Sequence, residues 1–97
     1  MAKYYLTNKA VDDLSEIWDY TTETWSEMQA EKYYDLLSAS CCDLANNPEL
    51  GRNYDIVTEG ILGFKSGEHI IFYSIISKNE IEIARIVHGM IDLKSKL

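Results

Sequence analysis

Residues 25–47, WSEMQAEKYYDLLSASCCDLANN, carry the reading on which the rest of the fold turns. Ser26 followed three residues later by Gln29 is a capping box, and Trp25 before Ala30 is the matching hydrophobic staple, so a helix begins at Ser26. Ala30, Tyr33, Tyr34, Leu37, Cys41, Leu44 and Ala45 recur at three- and four-residue steps, an apolar stripe between Glu27, Glu31, Lys32, Asp35 and Asp43. Asn46, Asn47 and Pro48 end the helix, because proline lacks the N–H and drives the preceding residue out of helical geometry. A stripe of this length requires a second layer to cover it.

Upstream, Ala10, Leu14, Ile17, Trp18, Thr21 and Trp25 repeat with the same spacing, and Thr7 or Asn8 serves as the cap. Asp12, Asp13, Glu16, Asp19 and Glu23 then fall on the faces given to solvent. The two helices meet with almost no connecting loop, which predicts an antiparallel helical hairpin. Tyr4-Tyr5-Leu6 before it reads as a short strand. Downstream, turn residues at Asn47-Pro48, Gly51 and Gly60 predict a loop over 48–60. Beyond it, Ile61–Phe64, His69–Ile76 and Ile81–His88 are strand-like and joined by short turns, hence two consecutive hairpins. Strict alternation in the last strand puts Ile81, Ile83, Arg85 and Val87 on one face and Glu82, Ala84, Ile86 and His88 on the other. The order strand, helix, helix, strand, strand, strand predicts a single α+β domain over 1–97: a helical hairpin packed on a mainly antiparallel four-stranded sheet in two layers. Phe64, Phe72, Tyr73, Ile75 and Ile76 exceed what one covered face consumes, so an exposed, partly apolar sheet surface suited to a protein partner is expected.

Charge narrows the partners. The net charge of -7 lies wholly in residues 1–50, where three lysines face ten acids, whereas residues 51–97 balance. Such a surface repels phosphate backbones, which disfavours direct nucleic-acid binding. No stretch is long enough to span a membrane and no apolar leader is evident, so a cytoplasmic protein is expected. Cys41 and Cys42 are adjacent on the helix and point apart, which suits small boundary residues in a reducing compartment. No phosphate loop, CxxC or HExxH is present, and no cofactor or metal is implied. His69 and His88 stand at strand positions, as structural or surface histidines do. Arg85, a charge within an apolar strand, reads either as a site residue or as the partner of a helix carboxylate. Asp12-Asp13 and the Glu82 region read as solvated faces, and Trp18, Tyr20, Trp25, Tyr33 and Tyr34 as core and hairpin packing. The residues alone favour an interaction protein over an enzyme.

Taken in order, Tyr5-Leu6-Thr7, Asp13-Leu14, Ile17-Trp18-Asp19-Tyr20, Trp25-Ser26, Gln29-Ala30, Tyr33, Asn47-Pro48, Gly51-Arg52, His69-Ile70-Ile71-Phe72-Tyr73, Arg85, His88-Gly89 and Asp92-Leu93 resemble the ParE family of type II toxins nearly end to end. The resemblance implies a β-α-α-β-β-β toxin that inhibits DNA gyrase without enzymatic activity of its own, neutralised by a ParD-like antitoxin whose C-terminal segment folds onto it. Within that reading, position and side-chain type nominate Lys65, His69, Arg85, His88, Asp92 and Lys94 for the gyrase contact and Phe64, Phe72 and Ile86 for the antitoxin groove. The wider superfamily includes RelE-like ribonucleases that cut messenger RNA on the ribosome; the acidic surface and the two arginines, Arg52 and Arg85, weigh against that alternative. Relatives often carry basic residues where this chain has Gly63, Glu68 and Met90, which raises a third reading, an attenuated toxin that retains antitoxin binding.

Overall fold

The computed structural model describes residues 2–89. Strand β1 (Lys3–Leu6) leads into α1 (Asn8–Thr24) and α2 (Glu27–Asn46), followed by a single 3-10 turn at Pro48–Leu50 and by β2 (Arg52–Asn53), β3 (Leu62–Ser66), β4 (His69–Ser77) and β5 (Glu80–His88). The sheet order is β1-β5-β4-β3-β2, with β1 parallel to β5 and every other pair antiparallel. The sheet therefore has five strands where four are expected. The extra one is two residues long and lies in the 48–60 segment, where Arg52 and Asn53 pair with Gly63 and Leu62. A stretch that short carries no alternation by which it can be read.

Both helix starts follow from their caps. Thr7 Oγ1 accepts from the Ala10 N–H at 3.1 Å, and Ser26 Oγ from the Gln29 N–H at 3.0 Å. Trp25, by contrast, is 73% exposed and closes no staple. Leu37, Cys41, Leu44 and Ala45 of α2 and Ala10 of α1 pack on Ile71, Tyr73, Ile81, Ile83 and Ile86 as the main core. Burying Leu37 or Ile83 completely contributes about 1.5–3 kcal/mol each.

The second sheet face is largely covered, contrary to the expectation of an open one. Ile61, Ile70, Phe72 and Val87 form a smaller core beneath Tyr54 and Val57, with the Tyr54 ring edge-on to Phe72 at 5.2 Å. The covering loop is held by its own hydrogen bonds: Asn53 Oδ1 accepts from the Asp55 N–H and Asp55 Oδ1 from the Gly60 N–H. Its root is fixed by Tyr73, whose hydroxyl accepts from the Gly51 N–H at 2.9 Å and donates to the Pro48 carbonyl at 2.5 Å. A Cβ at Gly63 would lie 2.6 Å from the Tyr54 ring, so glycine there is what lets Tyr54 close over Phe72. Of the strand residues expected on an open face, Ile75 and Ile76, at the far end of β4, are the two about half exposed.

The alternation expected of β5 breaks at one residue. Phe72 pairs with Arg85 but Tyr73 with Ile83, so Ala84 is bulged. Past the bulge the faces exchange: Ile86 joins Ile81 and Ile83 against the helices, while Val87 belongs to the second core. Nothing in the residue pattern marks the bulge, since isoleucine, alanine and valine suit either register.

Candidate functional site

Strand β1 is four residues long and β5 nine, so among the described residues the outer edge of β5 beyond Ile83 has no strand beside it. Helix α1 fills the gap with side chains. Thr7 Oγ1, besides capping the helix, donates to the Ala84 carbonyl at 2.8 Å. Nearly two turns further on, Asp13 Oδ2 accepts from the Ile86 N–H at 2.9 Å. The same carboxylate holds Arg85 as a fork, with Nε 2.8 Å from Oδ2 and Nη2 2.9 Å from Oδ1. Asp13 is 8% exposed, not the solvated residue that its place among the helix acids suggests. Of the two readings of Arg85, pairing with a helix carboxylate is the one the structure adopts, and the hydrogen bonds to Asp13 raise the guanidinium pKa further.

A second set lies one step along the same end of the molecule. His69 and His88 are direct cross-strand partners, their rings edge to face at 5.5 Å. Tyr33 reaches from α2 to the β3–β4 turn, where its Oη accepts from the Glu68 N–H at 2.9 Å and lies 2.6 Å from His69 Nδ1. With the backbone N–H already donated to it, the hydroxyl is set to give its own proton to Nδ1, which requires a neutral imidazole. Burial first and the neighbouring His88 second lower the His69 pKa, in keeping with that arrangement, while burial raises that of Tyr33. The turn itself depends on Gly67: its φ is +59°, and a Cβ there would stand 2.7 Å from the Tyr33 ring.

Two adjoining cavities share Tyr20, His69 and His88. One, about 380 Å³, is bounded by Asp13, Glu16, Ile17 and Arg85; the other, about 300 Å³, by Thr21, Trp25, Gln29, Tyr33 and Glu68. Tyr20 and Trp25, expected in the core, are 66% and 73% exposed and stand at the mouth. The residue spacing that places them on the apolar side of α1 is correct, but that side runs past the end of the sheet. No group of three or more metal-binding side chains occurs among the described residues.

The expected gyrase-contact residues divide. His69, Arg85 and His88 come together here, whereas Lys65, exposed on β3, pairs in register with Ile70 of the second core and so lies on the opposite sheet face. Asp92 and Lys94 lie outside the described residues, as does Met90. Of the residues named for an antitoxin groove, Phe72 and Ile86 are 0% and 2% exposed and serve the two cores; only Phe64 is half-buried. Asp13, Tyr20, Tyr33 and Glu68 complete the site. Asp13 has one pointer in the sequence, the need of Arg85 for a helix carboxylate.

Comparison with solved structures shows the fold first: the same two-layer arrangement occurs in solved toxin–antitoxin systems. The chain aligns with "Chromosomal ParDE TA system from P. aeruginosa" at a TM-score of 0.76 and 20% identity, covering 91% of this chain and 96% of that one. It also aligns with the heterotetrameric YoeB-YefM toxin-antitoxin complex of Staphylococcus aureus at 0.58 and 14%, covering 92% and 98%. The sequence is more specific. Residues 4–93 match the family described as "ParE toxin of type II toxin-antitoxin system, parDE". Toxin ParE1 of Mycobacterium tuberculosis is 32% identical over 96 residues, 99% of this chain and 98% of the relative. Toxin ParE1 of Caulobacter vibrioides is 30% identical over 97 residues, 100% and 99% of the two chains. The chain belongs to the ParE toxin family.

Proposed function

We propose that this ParE-family toxin acts by binding DNA gyrase and stabilising its cleaved-DNA state, and that a ParD-like antitoxin neutralises it by folding over its surface. Family membership across residues 4–93 is the observation that carries the reading. The site supports action by contact rather than by catalysis. Its arginine is engaged by Asp13 in a bidentate pair, His69 is hydrogen-bonded to Tyr33 with its pKa lowered by burial, and the carboxylates of Glu16 and Glu68 border it. Cleavage of RNA needs cations gathered around a phosphate, and this surface offers the reverse. No helix among the described residues is long and apolar enough to cross a membrane, which is compatible with action in the cytoplasm.

The candidate contact surface is His69, Arg85 and His88 with the residues that surround them. For the antitoxin, Phe64 is the retained candidate, because Phe72 and Ile86 are already buried. The test is DNA cleavage by purified gyrase with ATP and increasing amounts of the folded protein. Accumulating cleaved DNA supports the reading, and an unchanged product pattern at large excess refutes it.

A further inference from the structure

The cavity beside Tyr33 has an uncommon lining for a protein surface: the rings of Tyr20, Trp25, Tyr33, His69 and His88, the amide of Gln29, and one formal charge, that of Glu68. We propose that it receives an arginine side chain from a partner protein. The identity of the partner as an antitoxin rests on the function proposed above; the chemistry of the cleft does not.

Three observations lead there. Tyr20 and Trp25 expose most of their surface at the hairpin tip although each carries an aromatic face, and such faces attract a cation laid over them. Glu68 is the one charged residue lining this cavity; the adjoining cavity holds Asp13 and Glu16 beside Arg85, which Asp13 engages, and among the described residues no lysine lines either. Finally, at about 300 Å³ the space is at the lower limit for an organic ligand, yet adequate for one long side chain entering from outside. An anion would meet the Glu68 carboxylate with no cation in the cavity's described lining to offset it, and a purely apolar group would strip water from that carboxylate without return. A guanidinium satisfies both demands: its plane stacks on the indole, its stem lies along the rings, and its donors reach Glu68. Arginine suits the site better than lysine for that reason. The acidic helical half of the chain supplies long-range attraction of the same sign.

The test uses the full chain, with N-acetyl-arginine amide as the probe and the two indole N–H resonances as reporters. Trp18, packed edge-on to Tyr34 in a separate groove, is the internal control. The expected result is a saturable shift of Trp25 in the millimolar range with Trp18 unmoved, and no shift with the norleucine amide or the glutamate amide. Glu68→Gln changes an exposed side chain and leaves the fold intact; it weakens probe binding about fivefold, as loss of roughly 1 kcal/mol requires. Absence of a Trp25 response to arginine, an equal response to norleucine, or unchanged binding in Glu68→Gln overturns the proposal. Because the readout needs no partner protein, it fails or succeeds independently of the gyrase assay.

Discussion

Replacing Asp13 with alanine tests the organisation of the site most severely. The carboxylate accepts three hydrogen bonds, two from the Arg85 fork and one from the Ile86 backbone, all between 2.8 and 2.9 Å. Removing one member of a buried ion pair costs about 3–5 kcal/mol. Arg85 retains 21% side-chain exposure, so water recovers part of its loss. The Ile86 N–H belongs to a buried residue and finds no such substitute, at about 1–3 kcal/mol. The expected net cost is about 3 kcal/mol, a large share of the stability of a domain this size. Asp13→Asn keeps an acceptor for Ile86 and forfeits the ionic fork, so about half that cost is expected. Urea denaturation of both variants, with Arg85→Ala and the Asp13→Ala/Arg85→Ala double variant, gives the coupling directly; contact of this kind predicts about 1–3 kcal/mol of interaction energy. If Asp13→Ala costs less than about 0.5 kcal/mol, as at an ordinary surface position, the edge-capping role is wrong.

Other consequences follow from single contacts. Tyr73→Phe removes the hydroxyl that ties Gly51 to Pro48 and is expected to cost about 1–3 kcal/mol by denaturation, with faster proteolysis within 48–60. The His69 pKa is lowered in the folded state, so the unfolded chain binds the extra proton first; stability present above the ordinary histidine value of about 6.5 is lost as pH falls below it. Denaturation midpoints at pH 7.5 and 5.5 measure this, and His69→Gln flattens the difference. Burial pushes the Cys41 thiol up to about 12, whereas Cys42 is exposed, so alkylation under native conditions modifies Cys42 and spares Cys41 until the protein is unfolded. Gly63→Arg forces Tyr54 off Phe72; a stability loss of about 1–3 kcal/mol is expected, measured by thermal melting.

The helical hairpin was legible because its signals are local. Ser26 marks one start, Thr7 the other, and Pro48 the end; of the expected capping box the Ser26 half forms, while the Ser26 N–H is donated to the Thr21 carbonyl rather than to Gln29. The three long strands were legible for the same reason. What escaped depends on contacts between distant segments. The Ala84 bulge arises where β1 stops and α1 takes over the edge of β5, a relation between residues more than seventy apart. Closure of the 54–61 loop over Phe72 turns on Gly63 having no side chain, which reads in sequence as a weak strand position. In the site, strand position sufficed to nominate His69, Arg85 and His88, which the structure brings together, while Lys65, named with them for its place near the hairpin, lies on the opposite sheet face. Phe72 and Ile86 were nominated for their apolar character, and that character put them inside.

The central claim, a gyrase-directed toxin without nuclease chemistry, is tested most directly by inducing the protein in a susceptible bacterium and measuring chromosomal DNA breaks and ribosome-bound messenger RNA in the same cells. The account predicts trapped gyrase–DNA cleavage complexes and intact messages. Cut messages with unbroken DNA would contradict it.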